Sequence, residues 1–210
     1  MYICSYTHLV LKYANIKSID KKLMPDKIMR GSKIMDLMSI EIETDRLLLK
    51  PISYDYVEDI FKEFTQEITK YMYPKPTETM EETKGILENS LKGLRAGNNL
   101  QMVILDKTNN EFIGRIGIDE LDTLEPELGI WTKKSSHHNG YGLEAMTGLI
   151  EWAHNNIKFN YLKYPVDKRN LASRKIVEKN NGRILKEYKK IGMGGNELDE
   201  YEYWIYPKNT

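Results

Sequence analysis

Glu127-Leu128-Gly129-Ile130-Trp131-Thr132, then a polar connection over residues 133–139, then Gly140-Tyr141-Gly142-Leu143-Glu144-Ala145-Met146: the reading of this chain turns on that stretch. The first six residues have the composition of a short strand. Beyond the connection, Leu143, Met146, Ile150, Ala153 and Ile157 recur at alternating steps of three and four, which predicts an amphipathic helix opening at the glycines. Two glycines at the mouth of a helix let the backbone approach an anion closely, and first-turn N–H groups have no partner inside the helix. The unit reads as a phosphate cradle, and its expected ligand is a phosphorylated cofactor.

Upstream, residues 41–51, with Leu47-Leu48-Leu49, read as a strand. Ser53 can cap a helix running to Lys70 and carrying Tyr56, Ile60, Phe61 and Phe64, which Tyr73-Pro74-Lys75-Pro76 breaks. A second helix starts at the capping-box pattern Thr79-Met80-Glu81-Glu82, carries Ile86, Leu87, Leu91 and Leu94, and stops at Gly97. Residues 100–105 and 112–118 read as strands joined by a hairpin-like turn over 106–110. After the cradle helix come a strand (161–167), a helix (170–179), a strand (183–191), a glycine-rich loop (192–196) and a last strand (200–206). Elements in this order make an α/β (α+β) fold, a mixed sheet with helices on its faces.

With 210 residues, 40% hydrophobic and 30% charged, the chain can bury one good core, so the expected organisation is a single domain over 40–210 behind an appendage over 1–39. The appendage carries scattered lysines and four internal methionines without a sustained period, and a translation start at Met35 or Met38 is the alternative to a genuine segment. The 31 basic and 31 acidic residues cancel, which leaves no global field to attract nucleic acid or an anionic membrane. A single cysteine, Cys4, excludes an intrachain disulfide and a cysteine-rich zinc site and suits a reducing cytoplasm. No apolar run reaches the roughly 18 residues of a membrane span. The adjacent His137 and His138 lack a carboxylate at zinc-ligand spacing, so no metal is expected.

Gly140-x-Gly142-x-x-Ala145 followed by Asp167 also satisfies the relaxed dinucleotide fingerprint. Architecture excludes it: such folds need several βαβ units of roughly 30 residues each, and only 43 residues follow Asp167. The phosphate-loop ending Gly-Lys-Ser/Thr is absent as well.

From Ile40 to Tyr206 the chain resembles the GNAT superfamily of acyl-CoA-dependent N-acetyltransferases, in its ribosomal-protein (RimJ/RimL-type) branch. Thr44-Asp45-Arg46-Leu47-Leu48-Leu49 is similar to that branch's opening strand and Gly114-Arg115-Ile116-Gly117 to its third strand. The family's Gln/Arg-x-x-Gly-x-Gly/Ala pyrophosphate loop falls on His137-His138-Asn139-Gly140-Tyr141-Gly142, and its Asn-x-x-Ser helix on Asn170 to Ser173. The resemblance implies a mostly antiparallel sheet of about seven strands flanked by about four helices, with one strand pair splayed to admit pantetheine. Two positions depart from the pattern. His137 stands where the family has Gln or Arg, and Val177 where many GNAT enzymes carry a tyrosine that protonates the departing thiolate.

What the resemblance implies is an acetyl-CoA:amine N-acetyltransferase acting by direct attack in a ternary complex. An amine attacks a thioester only as the free base, so the site must help remove a proton, usually by a positioned carboxylate acting directly or through water; Glu127 is the candidate, against the alternative of a solvated strand-end carboxylate. Backbone groups of Ile130, Trp131 and Thr132 would pair with pantetheine, His137, His138, Asn139, Gly140, Tyr141 and Gly142 would hold the pyrophosphate, and Asn170 and Ser173 would face the pantetheine arm and the sulfur, a reading preferred to the alternative that both are only helix-cap residues. Tyr71, Tyr73 and Tyr188, with Met72, Pro74 and the loop over 192–196, would wall the acceptor, and such a pocket suits a cationic amine: a protein N-terminus, a polyamine or an antibiotic amine. The expected assembly is a monomer or homodimer. A non-catalytic acyl-CoA-binding regulatory module is the alternative.

Overall fold

Residues 29–30, 33–34 and 36–208 are described by the computed structural model; the rest of the appendage, Met35 included, lies outside the described residues. A short antiparallel pair, β1 (Met29–Arg30) and β2 (Lys33–Ile34), precedes the body of the fold. Leu37, in the single turn Leu37–Ser39, is already buried in the core, so the body begins a few residues ahead of Ile40.

Ten strands and five α-helices are described. The helices are α1 (Val57–Glu63), α2 (Gln66–Thr69), α3 (Met80–Ala96), α4 (Tyr141–Asn156) and α5 (Leu171–Lys179). The main sheet holds β3 (Ile42–Glu43), β4 (Leu47–Pro51), β5 (Leu100–Asp106), β6 (Phe112–Asp119), β7 (Glu127–Thr132), β8 (Leu162–Asp167), β9 (Arg183–Ile191) and β10 (Glu197–Ile205), in the spatial order β3-β4-β5-β6-β7-β8-β10-β9. This is the mixed, mostly antiparallel sheet expected, with eight strands rather than about seven and five helices rather than about four. The extra strand arises because residues 41–51 do not run straight. Thr44 bonds back to Leu47 through both its backbone N–H (2.9 Å) and its hydroxyl (3.0 Å), folding the run into a β3–β4 hairpin.

The predicted helix from Ser53 to Lys70 is also broken. Ser53 caps only the turn Tyr54–Tyr56; α1 ends at Phe64, whose backbone leaves the helical region, and Thr65 starts α2 by accepting from the Ile68 N–H at 3.5 Å. The α3 termini follow the sequence closely. Thr79 accepts from the Glu82 N–H at 3.2 Å and Glu82 returns a bond to the Glu78 N–H at 2.8 Å, one residue earlier than a standard capping box, while Gly97 closes the helix at φ +79°.

Residues 100–105 are buried without interruption, because β5 lies in the middle of the sheet with helices over both faces. Arg115 of β6 reaches Ser90 of α3, and Trp131 of β7 packs on Phe64, so α1 and α3 cover one face. On the other face Ile130 lies under Gly142 of α4, and Tyr164 and Tyr203 bond to side chains of α5. Helix α4 buries Ala145, Met146, Leu149, Ile150 and Ala153. Leu143 and Ile157 of the predicted stripe are only half-buried, the buried face being rotated toward Ala145 and Leu149.

One pairing positions everything that follows. β7 and β8 are parallel neighbours, and their register holds a single matched pair, Glu127↔Lys163. The Lys163 N–H donates to the Pro126 carbonyl at 2.8 Å. Beyond it no further β7–β8 pair is formed, which leaves a gap in the ladder along the rest of the two strands, toward Thr132 and Asp167.

Candidate active site

The loop between β7 and α4 is wound by two left-handed residues, His138 (φ +65°) and Gly140 (φ +79°). Alternating residues of this kind turn successive N–H groups toward one side, as in an anion-binding nest, and the α4 dipole adds to the same field. A Cβ on Gly142 would lie 3.1 Å from the end of the Ile176 side chain of α5, a tight fit that Ile176 must shift to admit.

Three side chains hold the loop in shape. Glu144, in the first turn of α4, accepts from the Thr44 hydroxyl (2.6 Å), the Arg46 N–H (2.7 Å) and the Arg46 guanidinium (2.7 Å). Arg46 also donates to the Asn139 carbonyl at 3.1 Å and lies over the Tyr141 ring at 4.7 Å. Burial acts to raise the Glu144 pKa, but the Thr44 bond and those from Arg46 outweigh it and hold the carboxyl below the usual range. His137 turns inward. Its Nε2 lies 3.0 Å from the Thr132 carbonyl, and because a carbonyl only accepts, the proton sits on Nε2. The imidazole therefore ties the loop to the end of β7, a different task from that of a Gln or Arg reaching for an anion. The His137 and His138 rings stand at 79° to one another, and no group of three or more metal-ligating side chains occurs among the described residues.

The strand edge facing the gap follows from alternation. Lys133 donates its N–H to Ile113 of β6 at 2.8 Å, so the backbone groups of Thr132 and Ile130 turn the other way, into the gap beside β8. Trp131, by the same alternation, turns its backbone to β6 opposite Arg115, and its ring packs with Phe64 and Phe112 on the face covered by α1 and α3. The Thr132 carbonyl already accepts from His137, while its N–H is turned to the gap.

Glu127 sits where the gap closes. It pairs with Asp119 of β6 on one side and Lys163 of β8 on the other. Lys163 binds Glu120 at 2.7 Å. Burial works against that ammonium, but the Glu120 bond and the charges of Glu120, Glu127 and Glu202 keep its pKa above that of a free lysine. Asp119 is pushed up to about 6 by burial, against the opposing Gln101 hydrogen bond and the Arg115 charge. Glu120 is itself left-handed (φ +58°), a local strain of the kind that collects around functional sites.

Across the gap, Asn170 caps α5 by accepting from the Ser173 N–H at 3.2 Å. The cap role weighed from the sequence is thus realised for its side-chain oxygen. Ser173 is half-buried, and its hydroxyl lies 2.6 Å from that of Tyr164. Val177 is in the core, against Gly182.

The residues expected to wall the acceptor come together although they are distant in sequence. The Met193 N–H donates to the Tyr73 carbonyl at 2.8 Å and Asn196 donates to the Lys70 carbonyl at 3.4 Å, docking the α2–α3 connection on the β9–β10 turn. Lys190 lies 5.2 Å over Tyr73 and 5.8 Å from the Tyr188 ring centre, and pairs with the buried Glu200 at 2.7 Å. Burial raises the Glu200 pKa despite that partner. Arg169 stacks on Tyr71 at 5.2 Å while gripping the fully buried Asp167. Each of these tyrosine rings thus already has one of the chain's own cations beside it. Sequence reasoning missed Asp119 and Glu200, which cross-strand register sets opposite Glu127 and Tyr188, and Tyr164, which the packing of α5 sets against Ser173; Arg46 was visible only as part of a motif.

Residues 46–183 match the family model described as an acetyltransferase (GNAT) domain. The uncharacterized N-acetyltransferase YjdG of Bacillus subtilis is 28% identical over 180 residues, covering 79% of this chain and 96% of its own. RimJ of Mycobacterium smegmatis, solved in complex with a CoA disulfide, shares the fold with a TM-score of 0.73 at 14% identity, over 81% of this chain and 88% of that one. Spermidine N-acetyltransferase from Vibrio cholerae, in complex with CoA and spermine, gives a TM-score of 0.68 at 14% identity, over 77% and 95%.

Proposed function

The chain belongs to the GNAT acetyltransferase family, and from that membership we propose that this acyl-CoA-dependent enzyme transfers an acetyl group from acetyl-CoA to a primary amine by direct attack in a ternary complex. The observation that carries the reading is the single-pair junction of β7 and β8 beside the cradle: a gap lined by strand backbone and leading to a helix mouth fits a linear thioester with a diphosphate at one end. His138, Asn139, Gly140, Tyr141 and Gly142 would hold the diphosphate, and Ile130 and the Thr132 N–H would pair with the pantetheine amides. His137 would act only through the loop, and Asn170 through the start of α5.

Glu127 takes one proton from the acceptor ammonium. The freed nitrogen pair forms the bond to the thioester carbonyl carbon, whose bond to sulfur breaks with its electrons on sulfur. Ser173 supplies a hydrogen bond to that sulfur, which ends with the second proton given up by nitrogen; the products are amide and thiol, and Glu127 returns its proton to solvent. Tyr71, Tyr73 and Tyr188 form the acceptor wall.

Thiol release from acetyl-CoA, followed with a panel of peptides, polyamines and antibiotic amines and checked by a mass gain of one acetyl group, tests the reading. Turnover of any one class supports it. Tight binding of acetyl-CoA with no amine turned over would favour a non-catalytic module.

A further inference from the structure

Ser173 is the group to which the proposed reaction gives the sulfur, and Tyr164 stands directly behind it. The two hydroxyls lie 2.6 Å apart. Tyr164, in β8, is only 3% exposed, on the face covered by α5. It is too deeply placed to meet a ligand in the gap. Ser173 is fixed from a second side, because its N–H is held by the Asn170 side chain at 3.2 Å. Meanwhile the helix position where many GNAT enzymes carry a tyrosine holds Val177, packed into the core with no hydroxyl to offer.

A pair of hydroxyls can be linked in two senses. If serine donates to tyrosine, its hydrogen is turned away from the gap. If tyrosine donates to serine, the serine hydrogen is left to point elsewhere. Phenol is the better donor of the two, and burial, which pushes Tyr164 up to about 12, keeps its hydrogen in place. Negative charge growing on a sulfur beside Ser173 favours the second sense, since each O–H in such a chain polarises the next.

We infer that Tyr164 is a positioning residue: it donates its hydroxyl hydrogen to Ser173 Oγ and so aims the Ser173 hydrogen at the departing sulfur. This rests on the function proposed above. Tyr164 keeps its own proton throughout, and no bond to it forms or breaks.

Two measurements test it, the first without any acceptor. The thiol of CoA bound to the enzyme is titrated by its thiolate absorbance. Tyr164→Phe, which fills the same volume, is expected to raise the pKa of the bound thiol as far as Ser173→Ala does, while Ser173→Thr, which retains a hydroxyl, keeps the wild-type value. A Tyr164→Phe enzyme whose bound thiol titrates as in wild type would overturn the inference. The second is a kinetic cycle with an accepted amine. Tyr164→Phe should lower kcat by about threefold to tenfold, the worth of one neutral hydrogen bond, at unchanged KM for acetyl-CoA, and should do nothing further in the Ser173→Ala background. An equal loss in both backgrounds would mark Tyr164 as packing alone. Failure to turn over any amine, with the thiol shifts intact, would instead strike at the proposed function.

Discussion

The guanidinium of Arg46, in the turn between β3 and β4, binds the carboxylate of Glu144, in the first turn of α4, through Nε and Nη2 at 2.7 Å each. The pair links the opening hairpin to the cradle, and the same guanidinium reaches the Asn139 carbonyl and the Tyr141 ring. Arg46→Ala is expected to raise the KM for acetyl-CoA about tenfold with a smaller change in kcat, because the loop loses its brace while the reacting groups stay in place. Arg46→Lys should recover little, since one ammonium cannot make the same contacts. Steady-state kinetics with calorimetry of CoA binding decides. The acid limit carries a sign as well: the Glu144 pKa is lowered on folding, so its contribution is present above the ordinary carboxylate range and fades as pH falls through the folded value.

Gly140→Val and Gly142→Val should each weaken acetyl-CoA binding more than about tenfold, for different reasons. At 140 the cost is backbone strain, because φ is +79° and a β-branched residue resists that conformation. At 142 it is crowding against the end of the Ile176 side chain, 3.1 Å from the would-be Cβ, together with loss of close backbone approach to the anion. Calorimetry on the folded variants is the check; wild-type affinity in both would move the diphosphate away from this loop.

Glu127→Gln should retain CoA affinity and lower turnover by about 10² to 10⁴, with partial recovery as the assay pH is raised and free amine becomes available. Ser173→Ala should cost less, since a thiolate of pKa about 8.5 leaves tolerably without a donor. The ranking is what a pH–rate series on the two variants measures, and the reverse order would exchange their importance.

Asp119 supplies a pH-dependent prediction for stability. Its folded pKa, about 6, lies above its value in the unfolded chain, so the folded state binds the extra proton and stability falls as pH rises between the two. Asp119→Asn removes that loss and leaves an oxygen to accept the Gln101 bond. Denaturant unfolding should find the variant more stable than wild type above about pH 6, by on the order of 1 kcal/mol, with the difference gone near about pH 4.

Much of this fold was legible because its signals are local. The cradle helix, the glycine after α3 and the strand from Glu127 to Thr132 lie where period, caps and composition put them. The breaks were not legible. Ile42 and Leu47-Leu48-Leu49 read as one run because nothing local shows that Thr44 will bond back to Leu47, and Phe64 continued the helical stripe right up to the point where α1 stops. At the site, the left-handed loop before α4 lies where the glycines put it, and Tyr73 and the β9–β10 turn, grouped from the sequence, do meet. Asp119 beside Glu127, and Tyr164 behind Ser173, are products of register and packing, which no stretch of sequence announces.

The single Glu127↔Lys163 pair leaves the sheet as two leaves, one of five strands and one of three, hinged at their common base and bridged by helices. A molecule lying along Ile130 and Thr132 would be a structural member as much as a reactant, supplying rungs the protein itself lacks. The leaves should then behave as one cooperative unit when loaded and as two looser ones when empty, so that amide exchange slows along β7 and β8 together on loading. Each round of catalysis would take out and replace a piece of the scaffold.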